Sequence, residues 1–307
     1  MKQVHNNEIW FLSNNNHTGF AIPSFLAAAD KLQVPFRYVD IDLISFNITS
    51  SGEIHFYLDG VLIEQLPSVA MFYAVKSAHI NLIRKIWEGM GVECINNSSA
   101  SHVANNKVAT YGLVANNGVP LIRTQIVDEE FNLPEGMTFP FILKSTTGSF
   151  GDDVFFINNL NDWNKCTMDK NIIRNWIAQE FIDTSHGFDL RVHVVNGKVI
   201  GAYERHSLNG DFRANISQGG KSTIVALNDD ATIIQYSEIV AKQTGLFIAG
   251  LDYLWGGDDR GWVFCEANNV PGFKGFLNPI TKELEVNYPE IVLNEIINKY
   301  PNIFQKC

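Results

Sequence analysis

Three oxygen-bearing side chains on two neighbouring segments are the strongest chemical signal in this sequence. In CEANNVPGFKGF, strand geometry puts residues two apart on one face, so Glu266 and Asn268 point together with Ala267 opposite. Upstream, Asp252 interrupts the apolar run GLDYLW, where a carboxylate without a partner is costly. Two carboxylates and an amide oxygen form a hard donor set suited to Mg²⁺, which keeps positions open for phosphate oxygens. Pro271-Gly272 then turns the chain sharply beside the cluster. Ordinary surface acids at a strand end would explain each residue singly, but not all three with the turn.

A hairpin supplies the second signal, because Asn196-Gly197 is a two-residue turn signature. Counting outward from Val195 and Lys198 places Val194 opposite Val199, Arg191 opposite Ala202 and Asp189 opposite Glu204. One face then carries Leu190, Val192, Val194 and Tyr203 as core. The other carries Asp189, Arg191 and Glu204, which reads equally as the charged floor of a site or as a surface salt-bridge ladder. The segment DFRANISQGGKS offers Arg213, Asn215 and Lys221 among glycines, either a loop that closes over phosphates or a plain surface loop. In FILKSTTGSFGDDV, Lys144 ends a buried strand before a Gly/Ser/Thr loop, an arrangement that clamps phosphate. It is not a Walker A sequence, since no Gly-Lys-Ser/Thr follows the loop.

The elements that must position these residues alternate strand and helix over residues 8 to 100. Strands are expected at Glu8–Leu12, Phe36–Asp40, Val69–Tyr73 and Val92–Ile95, helices at Ile22–Leu32 and Asn81–Met90, and a hairpin around Ser51-Gly52. That order describes a three-layer α/β lobe with a largely parallel sheet. A helix over His102–Asn117, capped at Asn117-Gly118, leads to strands at Ile122–Val127, Phe141–Lys144, Val154–Ile157 and Trp176–Ile182, with a helix over Asn161–Asn175. The remainder is β-rich: the hairpin, a long polar loop, a helix near Thr232–Thr244, then strands Ile248–Trp255 and Trp262–Ala267.

Composition narrows the function class. With 307 residues, 46% hydrophobic and 18% charged, the chain is long enough for two or three packed lobes of a soluble type. A net charge of -10 and a pI near 5.2 argue against a nucleic-acid or polybasic membrane surface. Cys94, Cys166, Cys265 and Cys307 lack disulfide-framework or metal spacing, so they read as reduced thiols. The polar start has no signal-peptide core and no run reaches spanning length, so a cytoplasmic protein is expected.

Taken in order, these segments resemble the ATP-grasp superfamily, and within it the RimK-like glutamate ligases. Motifs carry the resemblance over roughly residues 100 to 295, and strand-helix order alone carries it before that. It implies an ATP-grasp fold in the α/β class: an N-terminal α/β domain (1–100), a central lid subdomain (101–182) and a C-terminal subdomain with the metal site (183–307). It implies nucleotide contacts from Lys107, Lys144, the lid loop Gly148, Ser149 and Gly151, the hinge Gln179, Glu180, Phe181 and Ile182, and Asp189, Arg213 and Asn215. Asp252, Glu266 and Asn268 are its metal ligands. Two departures stand out: Asp152-Asp153 where relatives place an apolar residue and a glycine, and Gln218 where they often carry arginine, with Lys221 a substitute.

The function so implied is an ATP- and Mg²⁺-dependent ligase, with Mn²⁺ an alternative. It activates a carboxylate as an acyl phosphate and passes it to an amine or hydroxyl of an amino acid, peptide or protein tail. Arg191 and Arg213 are the expected catalytic cations, and a homo-oligomer the expected assembly. Three alternatives stand beside this: a precursor-peptide maturase making side-chain ester or amide cross-links, a catalytically weakened nucleotide-binding module, and a kinase on the same scaffold.

Overall fold

In the computed structural model, residues 5–14, 21–74, 78–147, 153–168, 175–207, 221–227, 230–277 and 286–304 are described. The N-terminal part contains β1 (His5–Ser13), α1 (Ala21–Leu32), β2 (Phe36–Asp40), β3 (Ile44–Ile48), β4 (Ile54–Leu58), β5 (Val61–Leu62), β6 (Leu66–Phe72), α2 (Ala78–Gly89) and β7 (Glu93–Ile95). Strands β2-β1-β6-β7 form a parallel sheet in that order, and β3-β4-β5 a small antiparallel one. The continuous apolar run IWFL of β1 fits a strand covered on both sides. Ile9 and Phe11 pack with Phe25 of α1, whereas Trp10 and Leu12 pack with Ile83 and Trp87 of α2.

Two helices, α3 (Ser98–Ala104) and α4 (Lys107–Val114), replace the single helix expected over 102–117. The break has a local cause. Asn105 closes α3, and Asn106 caps α4 by accepting from the backbone N–H groups of Val108 and Ala109 at 3.0 Å. The cap that ends α4 is Ala115, ahead of the expected Asn117-Gly118.

A second sheet, ordered β10-β9-β11-β8 and antiparallel, holds β8 (Thr124–Ile126), β9 (Phe141–Ser145), β10 (Val154–Ile157) and β11 (Trp176–Glu180), with α5 (Leu160–Met168). The strand expected to reach Ile182 stops at Glu180, so Phe181 and Ile182 begin the connection to the next sheet, which runs over residues 181–187.

That third sheet is antiparallel and ordered β14-β13-β12-β15-β16. It is built from β12 (Phe188–Val195), β13 (Lys198–His206), β14 (Lys221–Val225), β15 (Ile248–Trp255) and β16 (Trp262–Asn268), with α6 (Ala231–Thr244) and α7 (Tyr288–Lys299). One face buries Leu190, Val192, Val194, Leu251 and Tyr253 against α6, α3 and α4. Its other face begins apolar at Val195, beside α1 and α7, and turns polar along β12. Asn96, just after β7, fastens the first sheet to the third. Its amide donates to Ile248 O and Asn269 O at 2.7 and 2.8 Å and accepts from the N–H groups of Phe247 and Ile248 at 2.7 and 2.9 Å. No helix among the described residues is long and apolar enough to cross a membrane.

Candidate functional site

The polar half of the third sheet is assembled by a register that departs from the counted one. Val195 pairs with Lys198 and Val194 with Val199, as the Asn-Gly turn requires, but Ile200 is then an extra residue on β13. Beyond this bulge His193 faces Gly201, Arg191 faces Tyr203 and Asp189 faces Arg205. The expected pairings of Arg191 with Ala202 and Asp189 with Glu204 are therefore each off by one. Tyr203 joins the Arg191 face, and Glu204 moves to the opposite one, where it bonds His206 at 2.9 Å. The residue that sequence counting missed is Arg205. Its signal was present: an isolated glycine inside a strand, Gly201, marks a bulge. A Cβ there would lie 3.1 Å from Phe276 and Val286.

Four charged side chains interlock on this face. Arg191 clasps Asp252 with a fork, Nε to Oδ1 at 2.7 Å and Nη2 to Oδ2 at 2.6 Å. Arg205 clasps Asp189 in the same way, at 2.6 and 2.5 Å, and its Nη2 also lies 3.0 Å from Asp252 Oδ2. Asp252 and Arg205 are buried. Burial alone would raise the pKa of Asp252; the guanidinium groups of Arg191 and Arg205 outweigh it and hold this carboxyl well below the usual carboxylate range. Beneath Arg191, His193 packs among Tyr203, Phe276 and Tyr288, and burial, with Arg191 adding to it, pushes its pKa well below the ordinary value.

Asp252 pairs directly with Glu266 across β15 and β16, and Asn268 faces Gly250 one step along. Asn268 Nδ2 donates to Gly250 O and Asp252 Oδ2 at 3.3 and 3.2 Å, which leaves its carbonyl oxygen without a donor among the described residues. Glu266 is half-buried, and Lys107 Nζ lies 3.9 Å from its Oε2. The three residues read from spacing do share one face. Among the described residues no three His, Cys, Asp or Glu side chains converge as a metal group. Two carboxylates and an amide oxygen therefore fit Mg²⁺ only where phosphate oxygens complete the shell.

Two lysines close the same corner. Lys107 opens α4, and its backbone N–H bonds Thr146 O at 2.9 Å, docking the helix start on the end of β9. Burial, opposed by Glu266, lowers the pKa of Lys107. Lys144, on β9, is only 7% exposed, yet its ammonium has no acceptor among the described residues. Cys265, the extra residue of a second bulge on β16, packs with Ile122, Ile182 and Val263; burial pushes its thiol up to about 11.

Of the expected hinge residues, Gln179 is buried and donates to Thr124 Oγ1 at 2.7 Å, while Glu180 pairs with Arg260 at 2.7 Å. Phe181 meets Phe156 edge-on at 4.7 Å between centroids, and Ile182 is buried. Gly148, Ser149, Gly151, Asp152, Arg213, Asn215 and Gln218 lie outside the described residues. Asp153 is exposed at the foot of β10, and Lys221 opens β14.

The family model for RimK-like ATP-grasp domains matches residues 104–292, which span α4, the second sheet and the whole charged face. This chain belongs to the RimK-like ATP-grasp family, and it is an ATP-grasp ligase. It is 29% identical over 266 residues to a probable alpha-L-glutamate ligase of Saccharophagus degradans, with 83% of each chain covered. It is 30% identical over 264 residues to beta-citrylglutamate synthase B of Homo sapiens, covering 80% of this chain and 65% of the human protein. The solved structure of ATP-grasp ligase PsnB complexed with minimal precursor shares the fold, with a TM-score of 0.69 and 18% identity over 95% of this chain and 98% of that one.

Proposed function

We propose that this ATP-grasp ligase uses ATP to convert a carboxylate to an acyl phosphate, releasing ADP, and joins it to an amine of an amino acid or peptide tail. The observation that carries the reading is Lys144: a residue only 7% exposed, with no acceptor among the described residues, whose charge acts on Lys107 and on Cys265 next to Glu266. Lys144 and Lys107 repel each other across this corner, so an anion that arrives from outside is favoured there. Triphosphate oxygens supply that anion and complete the shell of a Mg²⁺ held by Asp252, Glu266 and Asn268.

Within this reading Lys107 and Lys144 hold the phosphates, and the family resemblance assigns further nucleotide contacts to Gly148, Ser149, Gly151, Arg213 and Asn215. Gln179, Glu180, Phe181 and Ile182 border the base, with residues 101–182 as the lid-bearing segment. Bound Mg²⁺, with Mn²⁺ as a substitute, offsets charge on the transferring phosphoryl group. Arg191 spends its Nε and Nη2 edge on Asp252, so its Nη1 edge orients the carboxylate and the acyl phosphate. Likeness in sequence to a probable alpha-L-glutamate ligase and to beta-citrylglutamate synthase B favours an amino-acid acceptor over a cross-linked precursor peptide, and the acceptor, cytoplasmic residence and homo-oligomeric assembly are part of the proposal.

Incubation with ATP, Mg²⁺ and pooled amino acids and peptides tests it. ADP and phosphate should form in step with a condensed mass. AMP and pyrophosphate as the stoichiometric products would instead mean adenylation and remove the acyl-phosphate route.

A further inference from the structure

Arg205 is the one buried guanidinium on the charged face to which the reaction above gives no task. Its Nε and Nη2 are taken by Asp189, as those of Arg191 are taken by Asp252; what sets Arg205 apart is that its Nη2 also reaches a second carboxylate. That second carboxylate is Asp252, and its two oxygens are unequally used. Oδ2 receives Arg191 Nη2 at 2.6 Å, Arg205 Nη2 at 3.0 Å and Asn268 Nδ2 at 3.2 Å. Oδ1 receives only Arg191 Nε, at 2.7 Å. A carboxylate oxygen has about two lone-pair sites, so Oδ2 is filled and Oδ1 has room for one more partner.

We propose that Arg205, anchored by Asp189, is a positioning residue for the metal ligand Asp252: it fixes the Oδ2 edge so that Oδ1 is presented to the metal. The proposal rests on the metal-site reading above. A cation beside a metal ligand would ordinarily oppose metal binding. Here the fork to Asp189 offsets part of that charge, and what the pair adds is a fixed position for the Asp252 carboxylate. The arrangement also frees Arg191 from being the sole support of Asp252 while it engages substrate. The Ile200 bulge delivers Arg205 to this face, since an unbulged register would put Glu204 there.

Outer-shell partners that orient a metal ligand typically govern about 10- to 100-fold in metal affinity. Mn²⁺ titration of the full chain loaded with AMP-PNP, read by the electron paramagnetic resonance of free Mn²⁺, measures this directly. Arg205→Lys, which keeps charge and loses the fork, and Asp189→Asn, which removes the anchor, should each weaken Mn²⁺ about 10-fold. Metal-free binding of AMP-PNP should not change in Arg205→Lys. Unaltered Mn²⁺ affinity in both variants, with only a lowered melting temperature, would make the pair a packing feature and overturn the proposal. Lost metal-free nucleotide binding in Arg205→Lys would overturn it too, by placing Arg205 against the nucleotide. If the unsubstituted chain with AMP-PNP takes up no Mn²⁺, the metal-site reading itself falls.

Discussion

The two faces of the five-stranded sheet are made by alternate residues of the same strands, yet they solve opposite problems. On the helix side Leu190, Val192, Val194, Leu251 and Tyr253 are fully buried and apolar, and their contribution is transfer from water plus close packing. On the cleft side Asp189, Arg191, Arg205 and Asp252 are also nearly withdrawn from water, but each is charged. Withdrawing four charges is costly, and forked, two-point bonds recover only part of that cost. The helix side is thus where the sheet gains stability and the cleft side is where it spends it. Substitutions on the two faces should separate cleanly, melting temperature on one and chemistry on the other.

The sharpest break of this contrast is Glu266→Ala. It removes a half-buried carboxylate from the proposed metal ligands, so on that proposal ADP formation should be abolished while the melting temperature changes little. Substantial turnover by this variant would return Glu266 to an ordinary surface acid. Arg191→Lys keeps the charge and loses the fork. Turnover should fall by about two orders of magnitude with ATP affinity within a few-fold, the scale for removing one donor aimed at developing charge. A variant that melts early but turns over normally would instead mark Arg191 as structural.

On the other face, Leu251→Ala should lower stability by about 2–5 kcal/mol in denaturant titration, with turnover per folded molecule retained. A catalytic defect there without a stability loss would blur the two faces. The smallest effect is expected at the rim, where Arg260 and Glu180 are each more than a third exposed. Arg260→Ala should cost no more than about 1 kcal/mol, measured in the same titration.

Most strands and the donor set were legible because each rests on a local rule. The run IWFL, the Asn-Gly turn and the two-residue spacing of Glu266 and Asn268 need no knowledge of the rest of the chain. The charged face was legible only in part. Asp189 and Arg191 could be assigned to it from β12 alone, but their partners lie across a strand pair, where one extra residue exchanges the faces. Arg205 was lost and Glu204 wrongly included for that reason. The helix break at Asn105-Asn106 was missed for a different one: asparagine is tolerated within a helix, and its use as a cap becomes visible only when the backbone turns. That Lys144 is only 7% exposed, with no acceptor among the described residues, belongs to tertiary structure, and no spacing encodes it.

The four bonds of Asn96 have a mechanical consequence. They saturate its amide and tie the parallel sheet to both β15 and the segment after β16, while the Tyr73 hydroxyl holds Pro271 O from the same side. The sheet carrying Lys144 runs into β12 through residues 181–187, with the exposed Glu180–Arg260 pair, the Lys107 N–H to Thr146 O bond and the Leu121–Phe264 bridge as further ties. The joints of the molecule are therefore unequal in kind. Two of its plates are riveted into one frame by buried side chains, and the third is held to that frame mostly through its backbone.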